Sequence, residues 1–201
     1  MNVAAIGDNT LSGYNTYWLN ITDEIGSWVT ASSVNSLAWK LNADEKINRA
    51  GNKPLVHQAL EISIFEPDLV IIAYGQDQIC QGGSDPTGEI EMAISILRKS
   101  FIILIPAQNL EAISNMQRDK SLCSHRCLAA DAVETGLVNY TLAQLADGER
   151  VFYFPELEDS LVFQDDFNER DCINPSALGG SVFAKNVYNV FRNEIRGDRG
   201  R

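Results

Sequence analysis

Four short segments hold most of the side chains that could do chemistry: "GDNTLSG" (7–13), "NRAGNK" (48–53), "GQDQ" (75–78) and "DCINPSALGG" (171–180). The first offers two hydroxyls, Thr10 and Ser12, beside an amide, Asn9. A hydroxyl becomes a nucleophile when an adjacent base takes its proton. The chain has only two histidines, His57 and His125, and neither falls in these segments. His57 could sit near their mouth, and as the bland alternative it is a surface helix residue. Asn9 itself neither ionises nor forms an acyl intermediate, so it offers one donor group and one acceptor. Asp77 and Asp171, if they face each other, make a carboxylate pair of the kind found in glycosidases or divalent-cation sites; otherwise they are solvated loop acids. Asp8 reads as a cap for local backbone N–H groups. The cluster "CSHRC" (Cys123, His125, Cys127) invites a metal reading, but on a helix the two cysteines share a face from which His125 points away. Neither a metal nor a cofactor is expected.

These segments lie between alternating strand and helix signals. "NVAAI" (2–6) is a short apolar strand, followed by Tyr14, Trp18, Ile21 and Ile25 at helical spacing. The stretch from Gly26 to Lys53 is mixed in character, with a second strand expected somewhere before "INRAGNK". From Pro54 a helix carries Leu55, Ala59, Ile62 and Phe65 on one face. "PDLVIIAYG" and "FIILIPA" are continuous apolar runs of buried parallel-strand type, separated by the helical "EIEMAISILRKS". Residues 122–146 read as helical with a break allowed at Gly136, "RVFYF" as a strand, and Pro175 as the start of a last helix carrying Val182, Phe183, Val187, Val190 and Phe191. Strands alternating with helices imply right-handed crossovers and a three-layer α/β/α sandwich around a mostly parallel, flavodoxin-like sheet. In such sheets the functional crevice lies outside the carboxyl ends of the strands. The four segments all follow strands or precede the last helix, so they should meet there. A crevice lined by Asn9, Thr10, Ser12, Gly51, Gln76, Asp77, Gln78, Asp171 and Asn174 is expected. Cys80 and Cys172 should then lie near it.

In order and spacing the segments resemble the SGNH, or GDSL-type, hydrolase family: Gly-Asp-Ser-x-x-x-Gly after the first strand, a glycine block after the second, Gly-x-Asn-Asp after the third, and Asp-x-x-His-Pro before the final helix. The resemblance spans nearly the whole chain and implies the family's fold. Carried over position by position, it removes the family's chemistry. Asn9 stands at the nucleophilic serine and Asn174 at the histidine. Asp77 replaces the asparagine that would donate to the oxyanion, and Lys53 aligns with the block-two glycine unless the loop shifts by two to Gly51. Only Asp171, the orienting acid, is retained. Losing a nucleophile or base costs on the order of 10⁴ to 10⁶ in rate, and an oxyanion donor about 10² to 10³. The resemblance therefore implies a pseudoenzyme with a binding or assembly role. Its partner would be a glycan or acylated sugar, or other subunits of a larger assembly such as a phage-like particle. The alternative is a divergent esterase or acetyl-transfer enzyme whose nucleophile has moved to Thr10 or Ser12.

Composition bounds the rest. With 201 residues, 45% of them hydrophobic, the chain can bury roughly 70% of its unfolded surface as one domain (1–195), with a basic tail at 196–201. A net charge of −11 would repel a phosphate backbone, which argues against nucleic acid. No window approaches the roughly 18 apolar residues of a membrane span, and no signal-like stretch opens the chain. A cytoplasmic protein, or part of a particle assembled there, is expected. Four cysteines are too few for a disulfide framework in this length. "NIT" at 20 and "NYT" at 139 fit the glycosylation acceptor pattern, which matters only on a secretory route.

Overall fold

A computed structural model of the chain describes residues 1–8, 11, 27–31, 35–75, 85–108, 131–158, 160–161 and 175–196. Five strands form one parallel sheet: β1 (Asn2–Gly7), β2 (Glu45–Asn48), β3 (Leu69–Ala73), β4 (Phe101–Leu104) and β5 (Val151–Tyr153), in the spatial order β2-β1-β3-β4-β5. β1 is the pivot, pairing Ala4 with Ile47 on one side and with Val70 on the other. The central strands are buried on both faces, which is why they read as unbroken apolar runs. The edge strands are short, and β2 ("EKIN") exposes Glu45 and Lys46 as a charged edge.

The helices are α1 (Leu37–Lys40), α2 (Leu55–Ser63), α3 (Thr87–Ile96), α4 (Asp131–Leu145) and α5 (Ala177–Val190), the last continued by a π turn over Phe191–Arg196. The crossovers through α2, α3 and α4 all advance in one direction across the sheet, so the right-handed rule puts these helices on one face. They pack side by side there, with α3 between α2 and α4. The crossover from β1 to β2 runs the other way and puts α1 on the opposite face, where it packs with α5. That layer is anchored by Trp28, whose ring stacks on Phe183 at 5.1 Å. The lack of a side chain at Gly180 lets α5 approach, since a Cβ there would come within 3.0 Å of Trp28 Cβ.

The three-layer sandwich expected from the sequence is present, with local corrections. α2 ends at Ser63, so Phe65 falls beyond it and is exposed rather than on the buried face. α4 runs through Gly136 unbroken. A helical glycine costs about 1 kcal/mol relative to alanine, which the burial of Val138 and Leu142 outweighs. α5 begins after Ser176, whose hydroxyl caps Gly179 N at 3.1 Å, and not at Pro175. The second strand includes Ile47 and Asn48, which the sequence pattern left to the following segment. The helix expected over Tyr14 to Ile25, residues 122–130 and all four cysteines lie outside the described residues.

Candidate functional site

The carboxyl edge is built from strand ends that are tied to one another before their loops diverge. β1 and β3 stay paired to their ends, where Asp8 N donates to Ala73 O at 2.8 Å. Gly7 makes this closure possible. Its φ is +139°, and a Cβ on it would sit 1.8 Å from the Ala73 carbonyl oxygen. On the other side of β1, Arg49 N donates to Ala5 O and Gly51 N to Gly7 O, both at 2.9 Å. The first two segments flagged in the sequence therefore leave the sheet side by side. Between Gly51 and Lys53, it is Gly51 (φ +146°) that stands against Gly7. Its N–H is spent on that contact.

Two buried amides hold this corner. Gln58 of α2 is fully buried and clamps Gly7 at both backbone groups: Gly7 N donates to Gln58 Oε1 at 2.7 Å, and Gln58 Nε2 donates to Gly7 O at 3.0 Å. The same Nε2 lies 3.2 Å from Gly51 O and 2.7 Å from Lys53 O. Asn48, at the end of β2, donates to Leu11 O at 3.0 Å and to Ser27 Oγ at 3.1 Å, and accepts from Ala50 N at 2.9 Å. Ser27 Oγ donates to Leu11 O as well, at 2.8 Å. The "GDNTLSG" segment is thus pinned at Gly7 and Asp8 and again at Leu11, on either side of Asn9 and Thr10.

A third amide repeats the device further along the edge. Asn139 of α4 accepts from Ala107 N at 2.9 Å and donates to Ala107 O at 3.1 Å, just past β4. Its amide is buried, so the "NYT" pattern presents no accessible acceptor. Gln108 Nε2 reaches Pro106 O and Leu157 O, joining the end of β4 to the turn after β5. Tyr153, the last residue of β5, donates its hydroxyl to Glu158; burial, that hydrogen bond and the nearby negative charge together push the phenol well above its usual range, so it stays protonated.

The sequence reading missed Gln58 and Asn139, although a signal was present. Gln58 lies with Leu55, Ala59 and Ile62 at i, i+3, i+4, i+7 spacing, and Asn139 likewise with Thr135, Val138 and Leu142; all are buried. A polar residue inside a buried stripe must find partners there. His57, one position before Gln58, is exposed on the outward side of α2 near Glu61. Lys53 also turns outward, its Nζ 2.5 Å from Glu61 Oε1, while Arg49 Nε lies 3.3 Å from Glu61 Oε2. The Lys53 hydrogen bond holds the Glu61 carboxyl below its usual range against some desolvation, with Lys53, Arg49 and His57 adding attraction.

The third segment starts at Gly75 (φ +118°), where a Cβ would lie 3.1 Å from Pro86 Cγ. The chain therefore leaves and re-enters at neighbouring points on either side of residues 76–84. Asn9, Thr10, Ser12, Gln76, Asp77, Gln78, Asp171 and Asn174 lie outside the described residues, as do Cys80 and Cys172. Among the described residues no group of three His, Cys, Asp or Glu side chains could hold a metal ion.

No protein-family model matches the chain, and no curated protein matches it in sequence. Solved structures do match it in shape over nearly its whole length. TesA is 14% identical, with 96% of this chain and 98% of that one covered and a TM-score of 0.65. The family 3 carbohydrate esterase of Clostridium thermocellum is 12% identical over 98% of each chain, with a TM-score of 0.63. A carbohydrate esterase described as displaying divergent catalytic and non-catalytic binding functions at its active site is 17% identical over 95% of this chain and 68% of that one, with a TM-score of 0.53. The chain has the SGNH-hydrolase fold. Within that fold, Gly7, Gly51 and Gly75 mark where the first three loops leave the carboxyl edge of the sheet.

Proposed function

We propose that this SGNH-fold protein is non-catalytic and holds a glycan or an acylated sugar in the crevice at the carboxyl edge of its sheet. What supports the reading is the identity of three loop residues: in the motif resemblance, Asn9, Asp77 and Asn174 align with the nucleophile, oxyanion donor and base of SGNH hydrolases. A carboxamide cannot attack, a carboxylate repels a developing oxyanion, and an asparagine takes no proton at neutral pH. What these groups do offer is the donor and acceptor set that sugar hydroxyls and acetyl carbonyls use. The framework that would present them is firmly hydrogen-bonded, from the Gln58 clamp on Gly7 to the double anchor on Leu11. Non-catalytic binding at such a site is consistent with what is described for one carbohydrate esterase of the same fold.

Calorimetric titration of the full chain with neutral and O-acetylated oligosaccharides tests the reading. Saturable binding is expected, weakened about tenfold or more (1.4 kcal/mol per decade) by Asn9→Ala with no change in thermal midpoint. Binding that survives both Asn9→Ala and Asp77→Ala, or no binding across the panel, overturns it.

A further inference from the structure

One buried backbone carbonyl, that of Leu11, receives two side-chain donors from separate parts of the chain. Asn48 Nδ2 reaches it at 3.0 Å from the end of β2, and Ser27 Oγ at 2.8 Å from the segment 27–31; the two donors are themselves 3.1 Å apart. A single donor is enough to offset the burial of a carbonyl, so the second is surplus to that need. Asn48 is fixed in its turn, its Oδ1 accepting from Ala50 N at 2.9 Å, and the Leu11 side chain is fully buried. Leu11 N donates to Asp8 O at 3.3 Å, while Asp8 N donates to Ala73 O at the end of β3. Asp8 and Leu11 are therefore two fixed posts, one tied to β3 and the other to β2 and Ser27. Only Asn9 and Thr10 lie between them in the chain.

We infer that Asn48 is a positioning residue for the crevice: by fixing Leu11 it sets how Asn9 is presented to a ligand. The role rests on the binding proposed at this edge. Asn48 is buried and spends its amide on Leu11, Ser27 and Ala50, so it acts through the first loop and not by contact. A binding group works at full strength only when its support holds it to within about 0.5 Å, and a group fixed before binding loses less freedom on binding. Two residues between fixed posts have little slack, so a shift of Leu11 is passed on to Asn9. The position calls for an amide. An aspartate at 48 keeps the acceptor for Ala50 N but turns a carboxylate oxygen toward the Leu11 carbonyl. The one hydroxyl proton of Ser27 is then drawn to that carboxylate, because a charged acceptor makes the stronger bond. Leu11 O loses both donors at once.

Calorimetric titration of the full chain with O-acetylated oligosaccharides tests the inference, at a temperature where circular dichroism shows each variant folded. Asn48→Asp is expected to weaken binding about tenfold, and Ser27→Ala, which removes one donor and leaves the other, about threefold. Ser27→Ala carries the same comparison if Asn48→Asp does not fold. Neither loss should add to that of Asn9→Ala: each double variant should bind within about twofold of Asn9→Ala alone, because both changes remove the same contact. Ser100→Ala is the control for stability. It deletes a buried hydroxyl that donates to Pro67 O at 2.6 Å, just before β4 at the opposite edge of the sheet, and should lower the thermal midpoint with no change in affinity. Affinity equal to the parent's in the Asn48 and Ser27 variants, losses that add to that of Asn9→Ala, or an equal loss in Ser100→Ala overturns the inference and leaves the binding reading standing. A parent chain that binds none of the sugars overturns both.

Discussion

A methyl group on Gly7 has nowhere to go: its carbon would lie 1.8 Å from the Ala73 oxygen, at a φ of +139° that side chains rarely adopt. Strain at such a backbone position costs about 1 to 3 kcal/mol before any clash is counted. Gly7→Ala is therefore expected to lower stability by about 3 kcal/mol or more in urea unfolding, against no more than about 0.5 kcal/mol for the open position Gly88→Ala. Gln58 is the second residue on which the corner depends. Gln58→Ala leaves the Gly7 N–H buried without a partner, at about 1 to 3 kcal/mol, takes one donor from the carbonyls of Gly51, Lys53 and Gly7, the last of which keeps the Gly51 N–H, and empties a buried side-chain site. We expect a loss of about 3 kcal/mol. Gln58→Glu should be no rescue, because an ionised carboxylate donates to none of those three carbonyls. A Gln58→Glu variant as stable as the parent would show that the clamp is dispensable. Gly7 was legible in the sequence because its motif sits after an apolar strand. Gln58 was not, because a glutamine on a helix usually faces water, and only its place in a buried stripe distinguishes it.

At the level of elements, the legible parts were those buried on both sides. β3 and β4 read directly as "LVIIA" and "FIIL", since a central parallel strand contacts helices above and below. The stretch from 26 to 53 resisted reading because β2 is a four-residue charged edge and α1 is a single turn. Element ends were also obscure where a distant residue supplies the cap. α2 starts at Leu55 with no side-chain cap of its own; Glu89 of α3 accepts from Leu55 N at 2.8 Å, and Tyr74 donates to the same oxygen at 3.2 Å. The start of β5 depends on Asp147, whose Oδ1 accepts from the N–H groups of Glu149, Arg150 and Val151 at 2.8, 2.7 and 2.8 Å. Burial works against its charge, but these hydrogen bonds and the Arg150 guanidinium outweigh it, so its pKa lies below the usual carboxylate value. A folded-state pKa below the unfolded one contributes stability that is complete above the unfolded value and is lost as pH falls through the folded one. Asp147→Ala should therefore cost about 1 kcal/mol near pH 7. The difference from the parent should shrink below about pH 4, as the parent's carboxylate takes up a proton. Urea unfolding at neutral and acid pH checks this, and a difference that grows toward acid pH would contradict it.

For the whole molecule, the alternation of strands and helices was enough to give the architecture, because a right-handed parallel sheet is the way such a chain buries its apolar runs. The same rule points to the carboxyl edge as the place for a site, and the ends of β1, β2 and β3 are tied together there through Gly7, Gly51 and Ala73. What the loops beyond that edge do is a matter of residue identity, and in this chain three identities argue for binding without turnover. Short-chain acyl-ester hydrolysis by the purified protein is the most direct test. The rate should not exceed buffer, and Asn9→Ser alone should leave it there, since Asn174 supplies no base and Asp77 opposes the oxyanion. Saturable turnover in the parent chain that Thr10→Ala with Ser12→Ala abolishes would contradict the account and assign the attack to a displaced hydroxyl.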